Sequence, residues 1–159
     1  MGEIGISRAV REDLPAILSL QKRAFTEVAK AIGKFELPAL RQTETEIAEE
    51  YEHGVILKCV TADGRIAGSV RGRLDGENIC RVGKLIVDPE YQKLGIGRAL
   101  IAEIEKYFSS CAAFALFTSE ETPHTGRLYA GIGYRVVGRK DMGGTVMLLM
   151  EKPNQAAKH

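Results

Sequence analysis

The chain has 159 residues, of which 45% are hydrophobic and 27% are charged, values typical of one soluble globular domain. Its 22 lysine and arginine residues and 21 acidic residues leave a formal net charge of +1. Because this balance lacks the basic excess that attracts nucleic acids or anionic membranes, neither is expected as a partner.

The cysteine pattern and the shortness of the apolar stretches both bear on the cellular compartment. Cys59, Cys80 and Cys111 are odd in number and lie far apart, a pattern typical of reduced thiols rather than of disulfides or a zinc site. The first residues lack the basic flank and apolar core of an export signal, and no apolar stretch approaches the roughly 20 residues of a membrane span. We therefore expect a cytoplasmic protein.

The first part of the chain predicts a strand followed by two helices. Residues Ile4 to Ala9 form the strand candidate, and apolar residues at helical spacing after Asp13, the candidate N-cap, predict a helix as far as Ile32. A second helix is predicted from Pro38 to Glu52. Its carboxylates are expected on a solvated face; they are Glu46, Glu49, Glu50 and Glu52.

A change to strand periodicity begins near Val55. Strands are predicted over residues 55–61, 66–74 and 77–87, and the pairs Asp63-Gly64 and Asp75-Gly76 between them predict two-residue hairpin turns. The remaining predicted elements are a helix from about Gly95, a strand over 112–118, a helix over 123–130, strands over 134–139 and 145–151, and a frayed tail at 153–159.

The stretch from Leu85 to Thr118 predicts strand, helix and strand in succession, which places its two strands parallel and adjacent. The predicted fold class is therefore α+β, with a mixed, mostly antiparallel sheet of about six or seven strands, a central parallel pair and about four helices. Because no repeat or linker divides the chain, a single domain over residues 1–152 is expected.

The most informative segment runs from the strand at Leu85 through a glycine loop into a helix. It leaves backbone N–H groups from Lys93 to Arg98 unpaired and directed at one point, where an anion can bind, and Gly95 and Gly97 allow a phosphate to approach closely. A dinucleotide fingerprint would need a third glycine at Leu100, and the P-loop pattern also fails. An ordinary loop entering an amphipathic helix is the alternative.

Three motifs resemble a known family. The run Val87-x-Pro89-x-x-Gln92-x-x-Gly95-x-Gly97-x-Ala99 resembles the Gln/Arg-x-x-Gly-x-Gly/Ala coenzyme A signature of the GNAT superfamily of acyl-CoA-dependent N-acyltransferases. Arg8-Ala9 followed by Asp13-Leu14-Pro15-Ala16-Ile17 resembles the opening strand and helix of that family. The segment Leu128-Tyr129-Ala130-Gly131-Ile132-Gly133-Tyr134 is similar to its Leu-Tyr-x-x-x-Gly-Phe/Tyr motif. The likeness covers roughly residues 6 to 152 in the element order of the family.

The resemblance implies acetyl-CoA as cosubstrate, a primary amine of a small molecule or protein as acceptor, and direct attack of that amine on the acetyl group. It also implies that the Tyr129 hydroxyl protonates the departing thiolate, with a core tyrosine on a short helix as the alternative. A homodimer is common in the family. The residues implied for coenzyme A binding are Leu85, Ile86, Val87, Gln92, Lys93, Leu94, Gly95, Ile96, Gly97 and Arg98.

Position 81 departs from the family pattern. Several branches place a glutamate or histidine base four residues before the Leu85 position, where this chain has Arg81. Arginine cannot accept a proton at neutral pH. Glu120, Glu121 and His124 are candidate proton acceptors through water, with loop surface and the first turn of a helix as the alternative. The base is therefore left unassigned.

Arg81 has a candidate role of its own. Counting back across the predicted turn pairs Arg81 with Val70 and places its guanidinium among small residues, on the face shared by Leu85 and Val87. A carboxylate or phosphate of the substrate could bind there. A structural ion pair with Glu77 or another nearby acid is the alternative.

Two functions from different classes compete. The sequence favours an acetyl-CoA-dependent N-acetyltransferase, and the missing strand base keeps a non-catalytic acyl-CoA-binding sensor or interaction module as the alternative. A nucleotide-binding enzyme would rest on Gly95 and Gly97 alone. The acceptor is not fixed by the sequence, although the loop from Gly33 to Pro38 and the acidic second helix are expected to shape its pocket.

Overall fold

The computed structural model describes residues 4–33, 38–92, 94–142 and 144–155, apart from the side chains of Pro123 and His124. The strands are β1 (Ile4–Arg8), β2 (Val55–Thr61), β3 (Ile66–Leu74), β4 (Ile79–Val87), β5 (Ala113–Ser119), β6 (Arg135–Met142) and β7 (Thr145–Pro153). The α-helices are α1 (Leu14–Ile32), α2 (Pro38–Arg41), α3 (Glu44–His53), α4 (Ile96–Tyr107) and α5 (Pro123–Gly131).

The strands form one sheet in the order β1-β2-β3-β4-β5-β7-β6. β4 and β5 are parallel, and the other neighbouring pairs are antiparallel. This topology confirms the predicted α+β class with its central parallel pair. The described residues contain five α-helices where about four were expected, because the second predicted helix is divided.

The division lies at Thr43, between α2 and α3. The Thr43 hydroxyl accepts a hydrogen bond from Glu46 N at 3.2 Å, and Glu46 Oε1 accepts one from Thr43 N at 2.9 Å. This reciprocal capping box starts a new helix and so ends the predicted continuous one. Asp13 is the N-cap residue of α1, as predicted, but its side chain makes no capping hydrogen bond to that helix. Its carboxylate instead accepts a hydrogen bond from Val10 N and pairs with Lys58.

Helices cover both faces of the sheet. α1 and α3 pack on one face, in a cluster that includes Ile17, Ile47 and Ile86. α4 packs on the other face, where Leu100 and Ile104 belong to a cluster with side chains of β2, β3 and β4. We name these two sides the α1 face and the α4 face. Each buries apolar side chains at roughly 25 cal/mol per Å², which holds the two layers together.

Both loops of the β2-β3-β4 meander have three residues rather than the predicted two. The loops are residues 62–64 and 76–78, and backbone hydrogen bonds of 2.8 and 2.9 Å close them. The third residue of each has a positive φ, 86° at Gly64 and 62° at Asn78. A left-handed third residue is typical of three-residue hairpins, and glycine and asparagine adopt that conformation most readily.

A β-bulge in β4 changes which side chains share a face. Ser69 pairs with Ile86 but Arg71 pairs with Gly83, so β4 carries one extra residue there. Lys84, inside the bulge, has a φ of 51°. The extra residue shifts the alternation of side chains by one position in the rest of the strand.

The register and the bulge correct the predicted surroundings of Arg81. Arg81 pairs with Arg73 and not with Val70, because the hairpin loop is residues 76–78 rather than 75–76. The loop is one residue longer and begins one residue later, which together move the pairing by three positions. Its sequence neighbours on both sides are buried in the α4-face cluster, and Leu85 and Val87 pack against that same cluster. Arg81 therefore lies on the opposite, α1 face, away from Leu85 and Val87.

The last strand extends further than predicted. β7 continues to Pro153, and Asn154 Nδ2 donates hydrogen bonds to Ser109 O at 2.9 Å and Cys111 O at 2.8 Å. Pro153 and Asn154 therefore belong to the folded domain, and positions 156–159 of the predicted tail lie outside the described residues.

The three cysteines are buried free thiols, as expected. Among the described helices, none combines the length and apolar character needed to cross a membrane.

Candidate active site

The parallel strands at the centre of the sheet separate along their length. β4 and β5 pair only from Ile79 and Ala113 to Arg81 and Ala115. Beyond that point β4 continues to Val87, and β5 continues to Ser119, without a ladder between them. Among the described residues, the facing backbone edges beyond this point are thus left unpaired, and an extended ligand could pair with such an edge as an added strand.

The start of α4 has an uncapped N-terminus. Its N-cap is Gly95, which has a φ of 81° and offers no side chain to the first turn. The first helical hydrogen bond runs from Ala99 N to Gly95 O at 3.1 Å, so the N–H groups of Ile96, Gly97 and Arg98 precede it. Together with the positive end of the helix dipole, these groups favour an anion by roughly 0.3–1 kcal/mol.

Gly97 brings the uncapped helix start and the free edge of β4 together. A Cβ atom at Gly97 would lie 3.7 Å from Leu85 Cδ2, 3.9 Å from Val87 Cγ2 and 3.6 Å from Leu128 Cδ2 of α5. The start of α4, the separated part of β4 and α5 therefore meet at this glycine. The predicted coenzyme A segment and the predicted Tyr129 helix are neighbours in space.

The turn between β4 and α4 is fixed by Asp88, which the sequence analysis did not single out. Its side chain is 1% exposed, and it accepts hydrogen bonds from Arg65 Nη2 at 3.0 Å and Arg23 Nη1 at 3.4 Å. It also accepts one from Glu90 N at 3.0 Å. Because a buried carboxylate needs such partners, Asp88 holds the start of the glycine loop in place.

The side chains of the predicted coenzyme A segment have different surroundings. Gln92 and Leu94 are exposed, whereas Ile96 is buried in the core at 1% exposure. The Arg98 guanidinium lies over α5, 3.4 Å from where a Cβ of Gly131 would be. Ile96 can thus offer a ligand only its backbone N–H. Lys93 lies outside the described residues.

Tyr129 is nearly buried on α5, with 7% of its surface exposed. Its ring packs edge to face on Tyr134, with centroids 5.9 Å apart, and it belongs to the cluster that contacts Leu85 and Val87. Burial raises the pKa of Tyr129 to about 12, so its hydroxyl keeps its proton at neutral pH. The hydroxyl is therefore suited to donate a proton and not to accept one.

A polar cluster on the α1 face was not predicted. Arg71 Nη1 donates to Glu50 Oε2 at 2.6 Å and to Gln42 Oε1 at 2.8 Å, and Arg71 Nη2 donates to Gln21 Oε1. Lys84 Nζ lies 3.8 Å from Glu50 Oε1. We name these five residues the Arg71 cluster. It links α1, α3 and the segment between α2 and α3 to β3 and β4.

Two signals in the sequence could have revealed this cluster. Arg71 interrupts an apolar strand, and Gln21 continues the helical stripe of Ile17 and Leu18. A polar residue in an apolar stripe needs a buried partner. Glu50 corrects the expectation of a solvated acidic face, because its carboxylate contacts the buried Arg71.

Of the candidate proton acceptors, Glu120 and Glu121 make local contacts, and the side chain of His124 is not described. Glu120 forms an ion pair with Arg139, and Glu121 N donates to Ser119 Oγ at 3.1 Å. The His124 side chain and residues 34–37 of the predicted pocket loop lie outside the described part of the chain. Within that part, no three His, Cys, Asp or Glu side chains are grouped to hold a metal ion.

Arg81 forms an ion pair at the hairpin. Its Nε donates to Asp75 Oδ2 at 2.9 Å, and the two side chains are 47% and 26% exposed. This is the ion pair with a nearby acid that the sequence offered as the alternative, and the acid is Asp75 rather than Glu77. The guanidinium lies just before the point where β4 and β5 separate.

Comparisons with known proteins agree with the fold. The sequence profile of an acetyltransferase (GNAT) domain matches residues 24–152. No curated protein sequence matches the chain. The PaiA N-acetyltransferase of Thermoplasma acidophilum, solved in complex with coenzyme A, is 19% identical with a TM-score of 0.79, over 95% of this chain and 99% of that one.

Two further solved structures share the fold. The ribosomal-protein-S18-alanine N-acetyltransferase of Escherichia coli is 20% identical with a TM-score of 0.77, over 95% of this chain and 94% of that one. A phosphinothricin acetyltransferase of Sinorhizobium meliloti, solved with acetyl-CoA, is 15% identical with a TM-score of 0.77, over 94% and 88% of the two chains. Because the profile match spans most of the sequence, this chain belongs to the acetyltransferase (GNAT) domain family.

Proposed function

We propose that this protein is an N-acetyltransferase that transfers an acetyl group from acetyl-CoA to a primary amine of a small molecule or protein. One observation carries the proposal: at Gly97 the uncapped start of α4 meets the free edge of β4. The first feature suits a pyrophosphate and the second an extended pantetheine arm. The family membership of the chain supports the same reaction class.

The residues present fit an acyl-CoA. The backbone of Leu85, Ile86 and Val87 is free to pair with the arm, and N–H groups from Lys93 to Arg98 are assigned to the pyrophosphate. A Cβ atom at position 97 would lie 3.6–3.9 Å from apolar side chains, so glycine leaves the backbone approachable where a larger residue would fill the site. Gln92 and Leu94 are assigned to the rim of the same site. When bound, acetyl-CoA supplies an acetyl thioester as the electrophile.

Tyr129 is the proposed acid. Because burial keeps its hydroxyl protonated, the oxygen can hold a proton until negative charge develops on a leaving sulfur. A backbone N–H in the segment of Ile86 and Val87 is proposed as the donor to the carbonyl oxygen, a contact whose loss costs roughly 2.7–4 kcal/mol elsewhere. Holding the amine beside the thioester in the opening between β4 and β5 removes part of the entropic barrier.

A non-catalytic acyl-CoA-binding module is the second candidate function. In its favour, the sequence resemblance places Arg81 where several branches of the family have a base, and Glu120 is paired with Arg139. A primary amine with a pKa near 10 is protonated at pH 7 and must lose that proton before attack. No described residue is assigned to that step. A homodimer and a cytoplasmic location remain predictions.

Thiol release from acetyl-CoA separates the two functions. Purified protein is incubated with acetyl-CoA and a panel of amino acids, polyamines, aminoglycosides and peptides with free N-termini, and mass spectrometry identifies any acetylated amine. We expect amine-dependent thiol release with at least one class. Binding of CoA without turnover on any amine would support the binding module. Protection from thermal unfolding by ATP or NAD but not by CoA would contradict both.

A further inference from the structure

We propose that Lys84 recognises a carboxylate on the acceptor, so that the acceptors are amines that also carry a carboxylate group. The inference rests on the proposed acetyl transfer and names the substrate class of the same site. Lys84 belongs to the bulge of β4, on the strand whose free edge lines the opening toward β5.

The ammonium group of Lys84 has unused hydrogen-bond donors. Within the described residues its nearest anionic partner is Glu50 Oε1 at 3.8 Å, an ion pair too long for a hydrogen bond. The side chain is only 30% exposed, so water replaces those bonds incompletely. A partly buried ammonium with three free donors is a site that a carboxylate would complete.

Glu50 contacts Lys84 only through the 3.8 Å ion pair, because its other carboxylate oxygen accepts hydrogen bonds from other groups. Glu50 Oε2 accepts hydrogen bonds from Arg71 Nη1 at 2.6 Å and from Gln42 Nε2 at 3.0 Å. Two cations, Arg71 and Lys84, thus share one carboxylate in direct contact. Glu46 acts on Lys84 from a greater distance and is engaged with Thr43 at the start of α3. Among the groups in direct contact, two positive charges therefore face one negative charge, which leaves an excess of one positive charge.

The orphaned Nε atom of Arg71 shows the same excess of donors. Arg71 is 6% exposed, and its Nε is buried without a hydrogen-bond partner in the described part of the chain. Lys84 is the cation of the pair that solvent reaches, since 30% of its side chain is exposed against 7% for Arg71. Lys84 is therefore the contact residue, and Arg71 is the positioning residue that fixes Glu50.

The backbone of Lys84 supports a functional role for the side chain. Its φ of 51° is uncommon for a residue with a Cβ and costs on the order of 1 kcal/mol. Burial and the nearby Arg71 also lower the pKa of Lys84, while Glu50 raises it. An additional carboxylate beside the ammonium would raise the pKa of Lys84 again. A glycine would relieve the backbone strain, and the chain carries a lysine instead.

The test compares matched amines. Initial rates of thiol release are measured for L-amino acids, for their α-carboxamides and for spermidine, with the wild type, Lys84→Gln, Lys84→Arg and the control Lys106→Gln on the outer side of α4. We expect the wild type to favour the amino acids. Lys84→Gln should raise their KM about 10–100-fold and change the carboxamides far less, whereas Lys84→Arg should restore most of the preference.

A binding measurement keeps the inference separate from catalysis. N-acetyl amino acids and their carboxamides are titrated calorimetrically into CoA-loaded protein, where the wild type should bind the carboxylate forms more tightly and Lys84→Gln should lose the difference. If no amine is acetylated but this difference is found, the proposed transferase function fails while carboxylate recognition stands. A wild-type preference for spermidine or the carboxamides, or equal losses for both probes in Lys84→Gln, would overturn the inference.

Discussion

Arg71 Nη1 lies 2.6 Å from Glu50 Oε2, and this contact joins a buried strand to a helix that begins and ends at the protein surface. Arg71→Met removes the cation, leaves the buried Gln21 Oε1 without its donor, and leaves Glu50 with only Gln42 and the more distant Lys84. We expect the free energy of unfolding to fall by about 3 kcal/mol, the lower end for a broken buried ion pair, because Glu50 is partly exposed. Urea unfolding followed by circular dichroism measures the change.

The matched control is Arg73→Met, two residues further along β3 on the same face. Arg73 is exposed, and it lies opposite Arg81, a like charge. We expect its replacement to change the free energy of unfolding by less than about 0.5 kcal/mol. Equal losses for Arg71→Met and Arg73→Met would show that the Arg71 cluster does not stabilise the fold.

Tyr129→Phe tests the proposed acid. The variant keeps the buried ring and loses only the hydroxyl, so kcat should fall by roughly 10²–10⁴-fold with little change in CoA affinity. Stopped assays of acetylated amine give kcat, and calorimetry gives the affinity. Tyr107→Phe, at a half-exposed tyrosine of α4, is the control and should keep full turnover. Full turnover by Tyr129→Phe would assign Tyr129 to packing.

The same hydroxyl predicts a dependence of stability on alkaline pH. The pKa of Tyr129 is raised by burial to about 12, above the unfolded value near 10, so the folded form retains a proton that the unfolded form loses. The contribution of this retained proton to the free energy of unfolding is complete below pH 10. It is lost between about pH 10 and 12, by up to about 1.4 kcal/mol per pH unit.

Urea unfolding between pH 9 and pH 11.5 measures this contribution. We expect the loss of unfolding free energy to be smaller for Tyr129→Phe than for the wild type. Identical slopes for the two proteins would contradict a raised pKa at Tyr129.

Arg81→Ala tests the role of Arg81 against its ion pair with Asp75. If Arg81 recognises an anionic group of the acceptor, KM should rise for carboxylate-bearing amines and not for their carboxamides, with CoA affinity unchanged. Asp75→Asn breaks the same ion pair from the other side and is the matched control. Equal effects of both variants on every amine would leave Arg81 with only a structural role.

Local sequence patterns predicted the elements better than the register. The strands over 55–61 and 66–74 were predicted with their observed bounds, because their periodicity and flanking turn residues agree. The left-handed residues Asn78 and Lys84 were not predictable, since each depends on pairing with β3. The bulge at Lys84 places Arg81 on the opposite face of the sheet from Leu85 and Val87, and the loop that ends at Asn78 changes its cross-strand partner.

The candidate site also has one part that local sequence predicted and one part that it did not. The glycine loop was visible because Gly95 and Gly97 act through their own backbone. The Arg71 cluster could not be assembled from the sequence, because its residues come from three elements that meet only in the folded chain. These residues are Gln21, Glu50 and Arg71. The two local signs of this cluster were a charge inside an apolar strand, at Arg71, and an amide inside the apolar stripe of α1, at Gln21.

Calorimetric titration of CoA into the wild type, Gly97→Ala and Gly97→Asp tests the central claim most directly. Aspartate would place a negative charge at the uncapped start of α4, against Leu85 and Val87, whereas the alanine Cβ would meet its neighbours at ordinary contact distances of 3.6–3.9 Å. The account predicts CoA binding by the wild type, weaker binding by folded Gly97→Ala and none by folded Gly97→Asp. Unchanged CoA affinity in a folded Gly97→Asp, or no binding by the wild type, would contradict it.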